Sequence, residues 1–337
     1  GQIEGPLEVK PLGDKDHLLL AEHRAGASDG VERAEAGEVA GDELSGNASS
    51  DEVVLHAGRL VVIGAGVATT HQQPPDLSGP EERRSGIKPG LRVDFDRYTT
   101  GQSFFGLKSF VLRNNTQDPS NMRERLSMAL FDRLGVFASR ESYARFYVND
   151  EYMGLYTVVE MIDERFLARR FPASDGYLFS YDYPATAAPY YFEDRGSDPA
   201  TYVPMPFKPE NHDADPQPEV VAQMVAAVNR SSDAVFTQAV SEYLNLPALI
   251  RQVAIETYLG DNDGFLGAWG MNNLYLYRLA TSHAFTFLPW DKSNAFLAGV
   301  RGSIWRGILD VPPEMQNVLV RRALARPEWL TLYLDTL

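Results

Sequence analysis

From Pro218 onward the apolar residues of this chain recur at helical spacing in three successive segments, 218–229, 233–244 and 247–259, each introduced by Asp or Pro. Upstream the pattern is of another kind. Leu91–Phe95 and Lys108–Arg113 alternate in polarity, and Tyr143–Val148 and Tyr152–Glu160 flank the short polar turn Asn149-Asp150-Glu151, which predicts antiparallel strands and a hairpin. Segregated strand and helix stretches imply an α+β fold. At 337 residues the chain exceeds the usual size of one core, so two lobes are expected. Their boundaries read as an acidic, flexible segment 1–52, a sheet-rich lobe 53–163 and a helical lobe 164–337.

Within the first lobe, Asp118-Pro119 opens a helix with Met122, Leu126, Ala129, Leu130 and Leu134 at helical spacing and Gly135 as its stop, expected to pack on the sheet. In the second, Glu164–Phe171 reads as a short helix and the Tyr- and Pro-rich stretch from Tyr181 to Pro218 as an irregular crossing segment. Leu274–Arg278 and Ala284–Leu288 form a small hairpin about Ser282, and Glu314–Ala325 returns to helix.

Charge narrows the classes of partner. The formal net charge is -15, and residues 1–52 carry 4 Lys/Arg against 13 Asp/Glu. No basic face exists to displace counterions from a phosphate backbone, so nucleic acid is not an expected partner. No apolar run approaches the roughly 20 residues that span a bilayer. With no cysteine, disulfides and thiolate chemistry are excluded, and the six scattered histidines have no zinc-ligand spacing. The chain begins without Met and stops inside an apolar pattern, which reads as a piece of a longer protein whose targeting signal lies elsewhere.

Two motifs invite chemistry. Arg59–Ile63 reads as a strand running into Gly64-Ala65-Gly66-Val67-Ala68-Thr69, which starts like a dinucleotide fingerprint. Thr69 holds the third glycine position, and Thr70-His71-Gln72-Gln73-Pro74-Pro75 cannot continue as the required helix, so a plain glycine turn is expected. The second motif is stronger. Asp261-Asn262-Asp263-Gly264 follows the third helix, Asn273 starts one hairpin strand, and Asp291 follows the other. Hairpin geometry brings Asn273 and Asp291 together, and two carboxylates with an amide oxygen suit a hard divalent cation. The same residues also read as an ordinary turn, a loop cap and a strand-start amide.

A resemblance weighs between these readings. Asp118-Pro119-Ser120-x-Met122-Arg123 comes first, followed by Tyr147-Val148-Asn149-Asp150-Glu151-Tyr152-x-Gly154-Leu155-Tyr156-x-x-x-Glu160-x-x-Asp163. Then come Asp263-Gly264-Phe265, Asn273-x-x-Leu276-Tyr277 and Pro289-Trp290-Asp291. In order and spacing these blocks resemble the spore-coat protein H (CotH) kinase family over roughly residues 86–335. The resemblance implies a two-lobed, protein-kinase-like fold: an antiparallel sheet plus helix, then a mainly helical lobe with a short hairpin at the active site. It further implies ATP bound between the lobes with Mg2+ or Mn2+, transfer of the terminal phosphate to Ser of a protein partner, and a secreted, cell-surface or spore-associated location.

By position, Asp263 matches the family's first essential carboxylate and Asp291 the metal-binding one, with Asn273 as a second-metal or phosphate-positioning amide. Either carboxylate can serve as base. Lys88, Lys108 and Arg123 are the candidate phosphate-pairing cations, Glu124 invites comparison with the helix Glu of kinases, and Glu160 is the candidate near the adenine. Where the family usually reads Trp-Asp-x-Asp, this chain has Trp290-Asp291-Lys292-Ser293, a hydroxyl in place of the second carboxylate, followed by Asn294. A catalytically weak surface or partner-binding module is the alternative that this departure suggests, and a metal-dependent hydrolase a more distant one.

Overall fold

The computed structural model describes residues 90–95, 100–148, 151–182, 188–267, 270–296 and 309–337, together with the strand backbones at 7–12, 18–23, 53–55 and 61–62. It divides into two compact units: Gly1–Ala68, Pro80–Thr116 and Arg140–Met161 make the first, and Thr69–Gly79, Gln117–Ser139 and Ile162–Leu337 the second.

The first unit is a sheet of eight strands. They are β1 (Leu7–Leu12), β2 (Leu18–His23), β3 (Val53–Leu55), β4 (Val61–Val62), β5 (Leu91–Asp94), β6 (Ser109–Arg113), β7 (Glu141–Val148) and β8 (Glu151–Glu160), in the order β3-β1-β2-β7-β8-β6-β5-β4. Every pair is antiparallel except β2 with β7, a departure from the wholly antiparallel expectation. The expected hairpin is present: Val148 pairs with Glu151, leaving a two-residue connection. The register shifts beyond Phe146, which pairs with Gly154 at φ 111°, a backbone region that glycine enters without steric cost. Alternation places Leu91 and Val93 of β5 opposite Leu112 and Phe110 of β6, and these four pack with Phe104, Phe146, Tyr156 and Val158 as the core. Within the acidic segment 1–52, β1 and β2 join this sheet; residues 24–52 and the glycine turn at 64–69 lie outside the described residues.

The second unit holds α1 (Arg123–Arg133), α2 (Glu164–Arg170), α3 (Pro218–Arg230), α4 (Phe236–Ser241), α5 (Leu246–Leu259), α6 (Val318–Leu324) and α7 (Pro327–Thr336). It is less purely helical than expected. The hairpin of β11 (Leu274–Arg278) and β12 (Thr286–Pro289) is widened to four strands, order β10-β9-β11-β12, by β9 (Tyr177–Tyr181) and β10 (Phe207–Pro209). Part of the supposed irregular segment is therefore strand. β9 pairs with a partner about a hundred residues away in sequence, Tyr177 with Arg278 and Ser180 with Tyr275, and no local pattern announces such a pairing. The helix expected over 314–325 is divided: a short 3-10 turn at Pro313–Met315 precedes α6, which Asn317 caps through Val320 N–H at 3.2 Å.

α1 corrects a second expectation. Its buried face is Glu124, Ser127, Met128 and Phe131, while Met122, Leu126 and Leu134 are exposed. It belongs to the second unit, where Met128 and Phe131 pack with Ile255 and Leu259 of α5. Two helical stripes coexist in its sequence, and the packing partner selects the less apolar one. Asp118 caps from five residues upstream, its Oδ2 accepting from Arg123 N–H at 2.8 Å and its Oδ1 from Ser120 N–H at 3.0 Å. α5 is the central element: Leu246, Leu249, Ile250 and Val253 are fully buried among α3, α6 and the sheet. No helix among the described residues is long and apolar enough to cross a membrane.

Candidate functional site

α5 ends at Gly260, whose left-handed backbone (φ 59°) caps the helix by donating to Glu256 O and Thr257 O. The chain then turns through Asp261-Asn262-Asp263-Gly264 and enters the β11–β12 hairpin at Asn273. Leu274 pairs with Pro289, and Trp290 N–H donates to Asn273 O at 3.0 Å, so the outer ends of the two strands meet. Asn273 (φ 53°) and Asp291 (φ 43°) are both left-handed, a conformation that Asn and Asp tolerate better than most residues and that clusters at functional positions.

Asp263 is the hub of the amide groups. Its Oδ1 accepts from Asn272 Nδ2 at 2.8 Å, and its Oδ2 from Asn273 Nδ2 at 3.1 Å and Asn294 Nδ2 at 3.0 Å. Asn273 Nδ2 also donates to the Asp263 carbonyl at 2.9 Å. Burial pushes the Asp263 carboxyl up to about 6; the Asn272 hydrogen bond opposes this, the charges of Asp261 and Asp291 reinforce it, and the Asn294 hydrogen bond opposes it. Asp291 is buried, and its Oδ1 accepts from Ser293 Oγ at 2.7 Å and Ser293 N–H at 3.3 Å. Ser293 Oγ also lies 3.3 Å from Gln117 Oε1, which connects the turn before α1 to this end of the hairpin.

Behind these residues is a buried ionic group. Lys292 Nζ lies 2.9 Å from Glu256 Oε1 and 2.9 Å from Asp261 Oδ2. Glu256 Oε2 accepts from Phe265 N–H at 2.7 Å, and Asp261 Oδ1 from Asp263 N–H at 3.1 Å. Burial alone would lower the Lys292 ammonium, but the Asp261 and Glu256 carboxylates outweigh it and hold it above the ordinary lysine range. Burial raises Glu256, against the pull of Lys292. Gly264 is required by this packing, since a Cβ there would overlap Asp261 Oδ2 and lie 2.5 Å from Glu256 Oε2.

Asp263, Asn273 and Asp291 are thus gathered around one hairpin mouth. Arg123 begins α1 in the same unit, its Nη1 donating to Gln117 O at 3.3 Å and its Nε 3.5 Å from Asp118. Lys108 and Glu160 belong to the first unit. Lys108 immediately precedes β6 and is half-buried, and its carbonyl accepts from Phe95 N–H at 2.9 Å. Glu160 is buried at the end of β8, with Arg140 Nη2 at 2.9 Å from one carboxylate oxygen and Arg140 Nε at 3.1 Å from the other. Lys88 lies outside the described residues. Glu124 is buried on α1, and Asp163 of the resemblance motif caps α2 through Arg165 N–H at 2.9 Å.

Sequence reasoning passed over Glu256, Asn272 and Lys292. Glu256 carried a signal: it follows Leu249 and Val253 on the buried stripe of α5, where an unpartnered carboxylate would be costly. Lys292 had none beyond its place beside Asp291.

The donor set fits a hard divalent cation in its chemistry, since Asp263 and Asp291 bring two carboxylates of like sign together with Asn amides. All side-chain hydrogen bonds to the Asp263 carboxylate come from neutral amides. Among the described residues no group of three or more His, Cys, Asp or Glu side chains is arranged to hold a metal, so amide, water or phosphate oxygens would have to complete the coordination.

The inner spore coat protein H of Bacillus subtilis (strain 168) is 24% identical over 201 residues, covering 60% of this chain and 53% of that protein. Invasin CotH7 of Rhizopus delemar is 28% identical over 205 residues, covering 57% of this chain and 33% of that protein. The chain therefore spans about half the length of the first relative and a third of the second. The family profile described as CotH kinase protein matches residues 79–337, which includes α1, the β7–β8 hairpin, the 261–265 turn and the β11–β12 hairpin, and the chain belongs to that family.

Proposed function

We propose that this protein is an atypical protein kinase that transfers the terminal phosphate of ATP to a Ser hydroxyl of a protein partner, using Mg2+ or Mn2+. The observation that carries the reading is the gathering of Asp263 and Asp291 at the mouth of the β11–β12 hairpin, with Asp263 ringed by amides rather than by a cationic side chain. The two-lobed kinase-like arrangement is part of the proposal.

Asp291, Asn273 and Asp263 are the residues that would hold the metal. When bound, the cation neutralises the polyphosphate and polarises the transferring phosphoryl group. The chain's own work is placement and proton handling. In the transfer, the Ser oxygen forms a bond to the terminal phosphorus as the bond to the β-bridging oxygen breaks, releasing ADP. One of the two carboxylates, Asp263 or Asp291, takes the hydroxyl proton. Arg123, Lys108 and Lys88 are the proposed cations for phosphate, and Glu160 the proposed neighbour of the adenine.

A second reading has its own support. Ser293 gives its hydroxyl to Asp291 where a second carboxylate is usual in the family, which favours a partner-binding module with weak transfer. The names of the relatives, a spore coat protein and an invasin, support a spore-associated or surface location under either reading.

Thermal shift with ATP and Mg2+ or Mn2+, followed by radiolabel transfer to self or to a Ser-rich protein, tests the proposal in wild type, Asp263→Ala and Asp291→Ala. Nucleotide-dependent stabilisation and labelling in wild type alone are expected. No stabilisation sinks the kinase reading, stabilisation without transfer favours the binding module, and phosphate release without labelled protein indicates hydrolysis.

A further inference from the structure

Lys292 is adjacent in sequence to a proposed metal ligand, yet its side chain takes no part in the hairpin mouth. It is fully buried, and both of its hydrogen bonds go to carboxylates of other segments: Glu256 on α5 and Asp261 in the turn after it, each at 2.9 Å. Those two carboxylates do not end the chain of contacts. Each holds a backbone amide of the turn that carries Asp263: Asp261 takes Asp263 N–H at 3.1 Å, and Glu256 takes Phe265 N–H at 2.7 Å. The Gly264 carbonyl between them accepts from Asn272 N–H at 3.0 Å, so the same turn is tied to the start of β11. Gly264 has no Cβ, which lets the two carboxylates close over the backbone.

A buried lysine with two carboxylates is a weak source of net stability, because desolvation consumes most of the Coulombic gain. Its geometric consequence is firmer. Three buried charges that neutralise one another fix the distance between the segments that carry them, and here those segments are the Asp263 turn and the backbone next to Asp291.

We infer that Lys292 is a positioning residue of the site: through Glu256 and Asp261 it clamps the 261–265 turn to the strand end after β12, so that Asp263 and Asp291 are presented together to a divalent cation. This rests on the metal-dependent reading of the hairpin mouth. Lys292 touches neither the metal nor the substrate; it acts through the two carboxylates and the backbone amides that they hold.

The test compares the full chain with E256Q, K292R and K292M/E256Q, the last removing one charge of each sign so that the net charge near the site is unchanged. Two measurements are made on each: Mn2+ affinity by electron paramagnetic resonance, and amide hydrogen exchange of peptides covering 261–267. The clamp predicts faster exchange and roughly 10- to 100-fold weaker Mn2+ binding in K292M/E256Q, the range seen when groups that orient metal ligands are lost. K292R, which keeps charge and donors, is expected to recover both readouts. Wild-type exchange and wild-type Mn2+ affinity in K292M/E256Q would overturn the inference. If that variant does not fold, E256Q decides in the same way, by faster exchange or by wild-type behaviour in both measurements. A wild-type chain that binds no Mn2+ refutes the metal reading instead, and exchange then still reports whether Lys292 fixes the turn.

Discussion

Replacing Lys292 by Met removes the only cation hydrogen-bonded to Glu256 and Asp261 among the described residues, and the cost can be worked from the contacts. At an effective dielectric of about 20, each 2.9 Å ion contact is worth on the order of 6 kcal/mol before desolvation is counted. Burying the three charges offsets most of that sum, so the effect is decided by what remains after the substitution. K292M leaves two carboxylates in a site closed to water, and breaking a buried pair in this way typically costs about 3–5 kcal/mol. K292M/E256Q leaves only one, still held by Asp263 N–H, and is expected to lose about 1–3 kcal/mol. The paradox of a double variant more stable than the single one is the signature of the ionic group. Urea unfolding followed by tryptophan fluorescence reads the right unit, because all four tryptophans, Trp269, Trp290, Trp305 and Trp329, fall in Ile162–Leu337. A K292M chain within about 1 kcal/mol of wild type, or a double variant no more stable than K292M, would refute the reasoning.

Further expectations follow from the same contacts. Because the folded Asp263 carboxyl titrates at about 6, above the ordinary value of 3.8, the native state holds its proton more tightly than the unfolded chain. Stability contributed below pH 3.8 is therefore lost as pH rises through about 6, with an upper bound of about 3 kcal/mol, reduced because the residue is only partly buried by exposed area. The same linkage makes Mn2+ stabilise the chain at pH 7.5 but little at pH 4.5; equal thermal shifts at both would contradict it. Gly264→Ala should destabilise the second unit by about 1–3 kcal/mol and weaken Mn2+ binding, since the added methyl meets the two carboxylates; a neutral effect in calorimetry and metal titration would count against the packing described. Ser293→Asp should tighten Mn2+ binding but lower the metal-free thermal midpoint, as a second charge is set beside Asp291; unchanged affinity would show that residue 293 faces away from the metal.

Much of the fold is written in local patterns of residues. The helices α2, α3, α4 and α5, the β5–β6 pairing and the β7–β8 hairpin were legible because each is written in a local period: Pro218 and Pro247 near helix starts, alternation along Leu91–Asp94, a two-residue polar turn between two strands. The meeting of Asn273 with the end of β12 was legible too, since a hairpin's register follows from its own short loop. The remainder is set by partners distant in the chain. β9 became a strand because β11 offered it an edge, and α1 turned Met128 and Phe131 inward because Ile255 and Leu259 were there to receive them. Lys292 is the clearest case. In the sequence nothing but its place beside Asp291 marks it, and only the folding of α5 against β12 brings Glu256 and Asp261 within 2.9 Å of it, where water is excluded and an ion must find its counter-ions in the protein. Periodicity records which face of an element is buried; it carries no record of which other element lies there.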